Sequence, residues 1–340
     1  MNKIRTAILG YGRNGSTMHA GAIEHNHEDF EVVAVSDVDP ERRRQAEERF
    51  ACRTYEDYHT MLAEEQLDLV SVVTRSDQHC RMTCDCLESG ANVMVTKPWA
   101  VNENEARRMS DAATRSEKLL MPWLPARWGC DYVRLKQLLE EEPIGKVFMI
   151  RRSVCGFAAR DDWQTELKHG GGYLLNWGLH LIDPPVLLMR AKVSSVYGRL
   201  KKAFNPGDGE DLFLALMNLS DGTVVLSEYT VAAEDLPNWF IQGDRGTIVV
   251  RDRSLKVHRK DPHRIKDPTD YVAMGASGGV LHEETLAGEI YGDEKEIYGI
   301  VARTIRGEFD YPVTHDDMVQ LTRVLDAIRR ADTENRVVSL

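Results

Sequence analysis

Residues 10–15, Gly10-Tyr11-Gly12-Arg13-Asn14-Gly15, set three glycines at the spacing G-x-G-x-x-G, directly after an apolar run and at the opening of a helical stretch. Each glycine has its own reason. The first permits a tight turn, the second lets backbone approach a pyrophosphate, and the third lets helix pack on strand, while free amides at the helix N-terminus attract the anion. Asp37 ends the next apolar run, 22 residues beyond Gly15, where a carboxylate accepts hydrogen bonds from an adenosine ribose. Together these residues predict a dinucleotide site better than a glycine-rich turn beside a surface acid. Asp37 and Asp39 would repel a 2′-phosphate, so NAD is expected; the run Arg42, Arg43, Arg44 keeps NADP as the alternative.

Two further residues have the chemistry to move a proton. Lys97 follows an apolar run and precedes Pro98; the carboxyl edge of a parallel strand is where ligands bind, and partial burial there would lower an amine's pKa into a useful range. The other reading is a surface lysine at a strand end. His180 stands four residues after Asn176, on one face of the helix that Gly172 is expected to start. Its near-neutral titration suits proton relay, but a lone histidine on an apolar helix face also fits a satisfied core residue.

The elements that must position these groups are legible as rhythm. Apolar runs at 4–9, 32–36, 69–74, 93–96 and 119–121 alternate with helical stretches at 16–24, 40–50 and 78–89, the last closed by Gly90; this is the beat of a parallel sheet with crossover helices. After Pro122 and Pro125 the pattern changes. An amphipathic helix is predicted over 131–142, then strands of antiparallel character around 147–154, 193–201, 211–218, 223–231, 239–242 and 246–250. Residues 205–209 and 220–222 are hairpin-type turns. Helix returns from 294 to 331, broken at Gly307 and Pro312, with Asp316 and Asp317 suited to a first turn after Thr314. The glycine-rich patch 275–279 is expected to be a mobile loop.

Length and charge exclude several classes. A chain of 340 residues is long enough for two cores. Its net charge of −11 and short basic runs argue against nucleic acid or an anionic membrane as partner. The most apolar stretch, 173–189, contains Asn176, His180, Asp183 and two prolines, which a bilayer would reject. The first strand begins by Ile4, so no secretory signal is expected. Six cysteines without framework spacing suit reduced thiols in a cytoplasmic protein. Cys80, Cys84 and Cys86 do not converge on one helix face, so no metal site is expected.

Taken in order along nearly the whole chain, these segments resemble the glucose-fructose oxidoreductase / inositol dehydrogenase / rhizopine-catabolism (Gfo/Idh/MocA) family. The resemblance rests on the glycine loop, Asp37, residues 73–79, Val95-Thr96-Lys97-Pro98, the 131–147 segment, the block 170–183 and residues 303–340. It implies an α/β Rossmann domain over 1–123, then an α+β substrate and oligomerisation domain over 124–340 with a large, open, mostly antiparallel sheet. A homodimer or homotetramer is implied. Cofactor contacts are implied for Gly10, Tyr11, Gly12, Arg13, Asn14, Gly15, Asp37, Thr74, His79, Thr96, Lys97 and Trp163. Lys97, His180 and Asn176 are implied in catalysis, and Lys97, Arg127, Trp163, Asn176, Trp177 and His180 in holding substrate. For His79, an N-terminal helix residue held by Asp77 is the other reading.

The chain departs from the family pattern at Thr96, where Glu is usual, at Thr74-Arg75, where Thr-Pro is usual, and at Asn176, where Asp is usual. An amide can bond a substrate hydroxyl but cannot stabilise an imidazolium as a carboxylate would, so proton work falls on Lys97 and His180. Asn176→Asp is accordingly expected to speed proton transfer and lower the pH optimum. Trp99, Trp123, Trp128, Trp163 and Trp177 fall in segments expected near the cleft; they either stack on a sugar ring or pack the domain junction. The implied activity is an NAD(P)-dependent oxidoreductase working on a secondary hydroxyl or ketone of a sugar, sugar derivative or inositol. The alternatives are a glycoside hydrolase using transient oxidation by NAD and a non-catalytic NAD-binding regulator.

Overall fold

The computed structural model describes residues 2–262, 269 and 278–340. Six strands, β1 (Ile4–Leu9), β2 (Phe30–Ser36), β3 (Arg53–Tyr55), β4 (Leu69–Val72), β5 (Asn92–Val95) and β6 (Leu120–Pro122), form a parallel sheet in the order β3-β2-β1-β4-β5-β6. Parallel neighbours need crossovers, supplied by α1 (Ala20–His25), α2 (Pro40–Phe50), α3 (Tyr58–Glu64), α4 (Ser76–Glu88) and α5 (Glu103–Ser116). Side chains of Asp39, Asp57 and Asn102 accept from the first free amides of α2, α3 and α5, which is why those helices begin there. Alternation along the strands sends Ala7, Leu9, Val70, Val72, Val93 and Val95 into one core and Ile8, Leu69, Met94 and Met121 into another. Both faces are apolar because both are covered.

Beyond Trp123 come α6 (Cys130–Glu140), β7 (Val147–Gly156), α7 (Tyr173–Met189), β8 (Val193–Lys201), β9 (Leu212–Leu219), β10 (Val224–Val231), β11 (Trp239–Gly243), β12 (Gly246–Arg251), β13 (Ser254–Arg259) and β14 (Gly279–Thr285). The chain ends with α8 (Glu294–Ile305), α9 (His315–Glu334) and β15 (Val338–Ser339). The second sheet runs β14-β13-β12-β11-β7-β10-β9-β8-β15. Every neighbouring pair is antiparallel except β7 with β10, which run parallel from Met149 opposite Val224 to Gly156 opposite Val231. Of the patch expected to be a mobile loop, residues 275–277 lie outside the described residues, while Gly279 opens β14.

The two sheets share helices. α9 packs on α5 and on β8, and α7 packs on β10. α8 returns to the first sheet: Ile297, Tyr298, Val301 and Ala302 are buried with Ile8, Ile23 and Phe30, so the chain recrosses the division after Trp123. α7 is apolar almost all round and buried. Pro184 and Pro185 lie inside it and remove two backbone donors. The carbonyl of Leu181, freed by Pro185, accepts instead from the Ser227 hydroxyl at 2.7 Å, which keeps the helix satisfied where it meets the sheet. Among the described residues, no helix is long and apolar enough to cross a membrane.

Candidate active site

A cavity of about 680 Å³ lies at the carboxyl ends of β1, β2, β4 and β5, with the glycine loop on one side and the segment 160–164 on the other. Gly10 has φ +94°, and a Cβ there would lie 2.9 Å from Val73 backbone and the Thr74 methyl. At Gly15 a Cβ would stand 2.0 Å from the Gly10 carbonyl oxygen, so this glycine is required for the turn to close. Gly12 differs from both. A Cβ there would meet only the Arg42 guanidinium, at 3.5 Å, so its open side faces the cavity. Asp37 fastens the loop: its carboxylate accepts from the amides of Tyr11 (2.7 Å) and Asp39 (2.9 Å) and sits 3.5 Å from Arg42 Nη1.

Lys97 is set at the floor of this cavity by β5 and by a cis peptide to Pro98. Its Nζ donates to Asn176 Oδ1 at 2.7 Å and to the Asn176 carbonyl at 2.9 Å. α7, which carries Asn176, starts at Gly172 (φ +98°) and is capped by Glu210, whose carboxylate accepts from the Leu174 amide at 2.9 Å. Burial, with the cations Arg160 and Arg13 nearby, lowers the Lys97 pKa to about 8. One turn along α7, His180 is buried, with its ring 5.3 Å from that of Tyr291 and 6.0 Å from that of Trp177. Trp177 stacks on Tyr229 at 5.3 Å. Among the described residues His180 Nδ1 has no hydrogen-bond partner. Burial, then the charges of Lys97 and Arg152, hold the His180 pKa well below the imidazole range. The expected near-neutral titration is therefore corrected: this ring is neutral at physiological pH, because charging it would cost desolvation beside two cations.

The structure brings Gly10, Gly12, Arg13, Asn14, Asp37, Thr74, His79, Thr96, Lys97 and Trp163 onto one cavity. Asn176, Trp177 and His180 do not line it; Asn176 joins it through Lys97, while Trp177 and His180 pack with Tyr291 behind it. Gly15 lies under the loop, and the Tyr11 ring is buried edge-on to Phe50, so only the Tyr11 amide takes part, through Asp37. His79 is held by carbonyls rather than by Asp77: Nδ1 lies 2.7 Å from the Pro98 oxygen and Nε2 3.0 Å from that of Thr74, which ties the β4 and β5 loops together.

Arg127 is a further correction. It makes a two-pronged bond to Asp183, 2.8 Å at both contacts, and reaches Asp317 (3.0 Å) and the Pro312 carbonyl (2.6 Å). All three of its nitrogens are engaged, Nε and Nη2 by buried Asp183 and Nη1 by Asp317 and Pro312, so Arg127 is not placed to hold a ligand. Of the tryptophans, only Trp163 lines the cavity. Trp99 and Trp123 are wholly buried, the first donating to Thr322 and the second packed on His19 and Tyr298; Trp128 lies against Tyr311. Cys80 and Cys84 point at carbonyls of α5, and all six cysteines are free thiols.

Sequence reasoning missed Arg160 on the cavity and Tyr291 beside His180, while Arg42, read from its charge beside Asp37, and Gln164, next to Trp163, both line the cavity. Gln164 Oε1 is buried with no hydrogen-bond partner among the described residues, an acceptor left for a bound molecule. Open Gly12, amide-anchored Asp37 and this orphaned acceptor fit a dinucleotide laid from the glycine loop toward Lys97.

Comparison with known proteins gives the same direction. A family model described as "Oxidoreductase family, NAD-binding Rossmann fold" matches residues 4–123, and one described as "GFO/IDH/MocA C-terminal domain" matches residues 132–249. The uncharacterized oxidoreductase YdgJ of Escherichia coli (strain K12) is 25% identical, covering 96% of this chain and 95% of that protein. The scyllo-inositol 2-dehydrogenase (NADP(+)) IolW of Bacillus subtilis (strain 168) is 21% identical over 100% of this chain and 97% of its own. Among solved structures, an NAD-binding protein from Listeria innocua superposes with a TM-score of 0.83 at 25% identity, covering 99% of this chain and 97% of that one.

Proposed function

Because the chain belongs to the GFO/IDH/MocA oxidoreductase family and carries its NAD-binding Rossmann domain, we propose that it is an NAD-dependent dehydrogenase interconverting a secondary hydroxyl and a ketone on a sugar, sugar derivative or inositol. The inositol dehydrogenase among its relatives supports that substrate class. The single observation that carries the reading is Lys97, an amine at the cavity floor with pKa about 8, held at two points by Asn176.

The glycine loop and Asp37 would hold the dinucleotide, and Gln164 and Trp163 would border its reactive end. When bound, nicotinamide takes up or returns the hydride that the substrate carbon exchanges. The chain's own residues handle the proton. With two hydrogens directed to Asn176, Lys97 keeps its third position for a ligand hydroxyl; as a free amine it accepts the hydroxyl proton, and as an ammonium it returns it. Neutral Asn176 anchors the amine without supplying a counter-charge, and burial with the two arginines poises it near 8. His180, neutral and with Nδ1 unpartnered, serves as a hydrogen-bonding group rather than an acid. NAD is favoured over NADP by the Asp37 carboxylate at the end of β2. The body up to Trp123 would hold most of the dinucleotide and supply Lys97, and the elements beyond it would contribute the 160–164 segment and the rest of the substrate site.

The test is the near-ultraviolet absorbance of reduced nicotinamide when the protein meets NAD or NADP with pooled inositols and aldoses. Absorbance growth with NAD that Lys97→Met abolishes is the expected result; growth that Lys97→Met leaves intact would remove Lys97 from the mechanism.

A further inference from the structure

The charges at the Lys97 end of the cavity do more than poise the lysine, because none of them balances it. Both hydrogen-bond partners of Lys97 are neutral oxygens of Asn176, and the charges acting on it are those of Arg160 and Arg13, both cations. Arg13 belongs to the glycine loop, beside the place of a pyrophosphate. Arg160 does not. It stands on the opposite wall with Asp162, Trp163 and Gln164.

Arg160 is built into its position. Its amide donates to Asn205 Oδ1 at 2.7 Å, and Asn205 is itself 3% exposed. The amides of Ala203, Phe204 and Asn205 in turn converge on one oxygen of Asp211, at 2.5, 2.5 and 3.1 Å. The guanidinium gives Nε and Nη2 to Asp162 (3.4 and 2.5 Å), and Nη1 has no protein partner among the described residues. A half-used guanidinium on a rigid support is a binding edge for an anion. With Asp162 matched to Arg160, Lys97 remains without a counter-charge in a protein whose net charge is −11.

We propose that the substrate of this site carries an anionic group, a carboxylate or a phosphate, received by the free edge of Arg160 while the reacting hydroxyl meets Lys97. This rests on the dehydrogenase reading. The ligand then brings the negative charge that Asn176 does not, and neutral sugars of the same shape leave the Arg160 edge unmatched.

The test is calorimetric titration of the protein saturated with NADH, using D-glucuronate, D-gluconate, D-glucose 6-phosphate and D-glucose as probes, on wild type, Arg160→Met and Arg160→Lys, with turnover of the same compounds and of myo-inositol followed in parallel using NAD. At least one anionic probe is expected to bind about tenfold or more tighter than glucose. Arg160→Met should shrink that preference to about threefold or less, with Arg160→Lys retaining an intermediate preference. A preference confined to the 6-phosphate assigns phosphate, and one confined to the sugar acids assigns carboxylate. Equal binding of glucose and all three anions, absence of binding by all three, or a preference that survives Arg160→Met overturns the inference. Turnover of glucose or myo-inositol without anion preference leaves the dehydrogenase reading standing; failure of every compound to reduce NAD counts against both.

Discussion

Lys97 Nζ lies 2.7 Å from Asn176 Oδ1 and 2.9 Å from the carbonyl of the same residue, so the asparagine serves the lysine rather than the histidine one turn away. This reverses an expectation. The spacing of residues 176 and 180 suggested that a carboxylate at 176 would act on His180 and lower the pH optimum. In the structure it would face the ammonium of Lys97 and raise that group's pKa. For alcohol oxidation, which needs the free amine, Asn176→Asp should move the rising limb of kcat/KM from about pH 8 to higher pH by roughly one unit. An unmoved or lowered limb in a pH–rate series would disprove the assignment of Asn176 to Lys97.

The glycines separate fold from ligand. Gly15→Ala sets a methyl against the Gly10 carbonyl, which backbone cannot yield cheaply, and should lower the melting temperature by several degrees. Gly12→Ala meets only the end of Arg42; its melting temperature should stay near wild type while NAD affinity falls by about tenfold, the methyl standing where backbone meets pyrophosphate. Thermal unfolding and NAD titration of the two variants check this, and equal effects of both on NAD would contradict it.

Arg127→Met leaves Asp183 buried without its cation, and burial already presses the Asp183 carboxyl upward. A loss of about 3–5 kcal/mol in unfolding free energy is expected, the range for removing one member of a buried pair. Chemical denaturation measures it. A stable variant with weakened substrate binding would instead restore Arg127 to the site.

These outcomes bear on what a sequence can convey. Helix α2 is legible to the residue because its signals are local: Pro40 opens it, Asp39 caps it, and helix-forming residues run unbroken to Phe50. The glycine loop and Lys97 are legible for the same reason, each marked by neighbours within a few positions. Arg127 was misread because its partners lie 56 and 190 residues away, and no spacing rule joins them. Arg160 was missed because its placement depends on Asn205, 45 residues on, in the turn between β8 and β9. The tryptophans were open between two readings: residue type told that Trp99 and Trp123 would be covered, and the structure shows that the core rather than a ligand covers them. Short β3, the edge strands β14 and β15, and β13 beside β14 carry too few residues or too mixed a pattern to stand out.

His19 gives a stability prediction away from the site. It is wholly buried beside Trp123, bonded through Nδ1 to the Tyr298 hydroxyl at 2.9 Å, and burial lowers its pKa to about 3. The unfolded chain, with an ordinary imidazole, binds the proton more readily, so the contribution is complete above about pH 6.5 and is lost as pH falls toward 3. At pH 5 the loss from this residue is roughly 2 kcal/mol. Denaturation at pH 7 and pH 5 of wild type and His19→Gln should show a smaller pH effect in the variant; an equal effect would assign the acid sensitivity elsewhere.

The most direct test of the account is the pH dependence of kcat/KM for alcohol oxidation with NAD, measured on wild type and on Lys97→Met. A single rising limb near pH 8 in wild type, absent from a Lys97→Met variant that still binds NAD and has lost at least about a hundredfold in rate, is the predicted result. A limb near 8 that persists in Lys97→Met, or a variant with near wild-type rate, would contradict the assignment of proton transfer to Lys97.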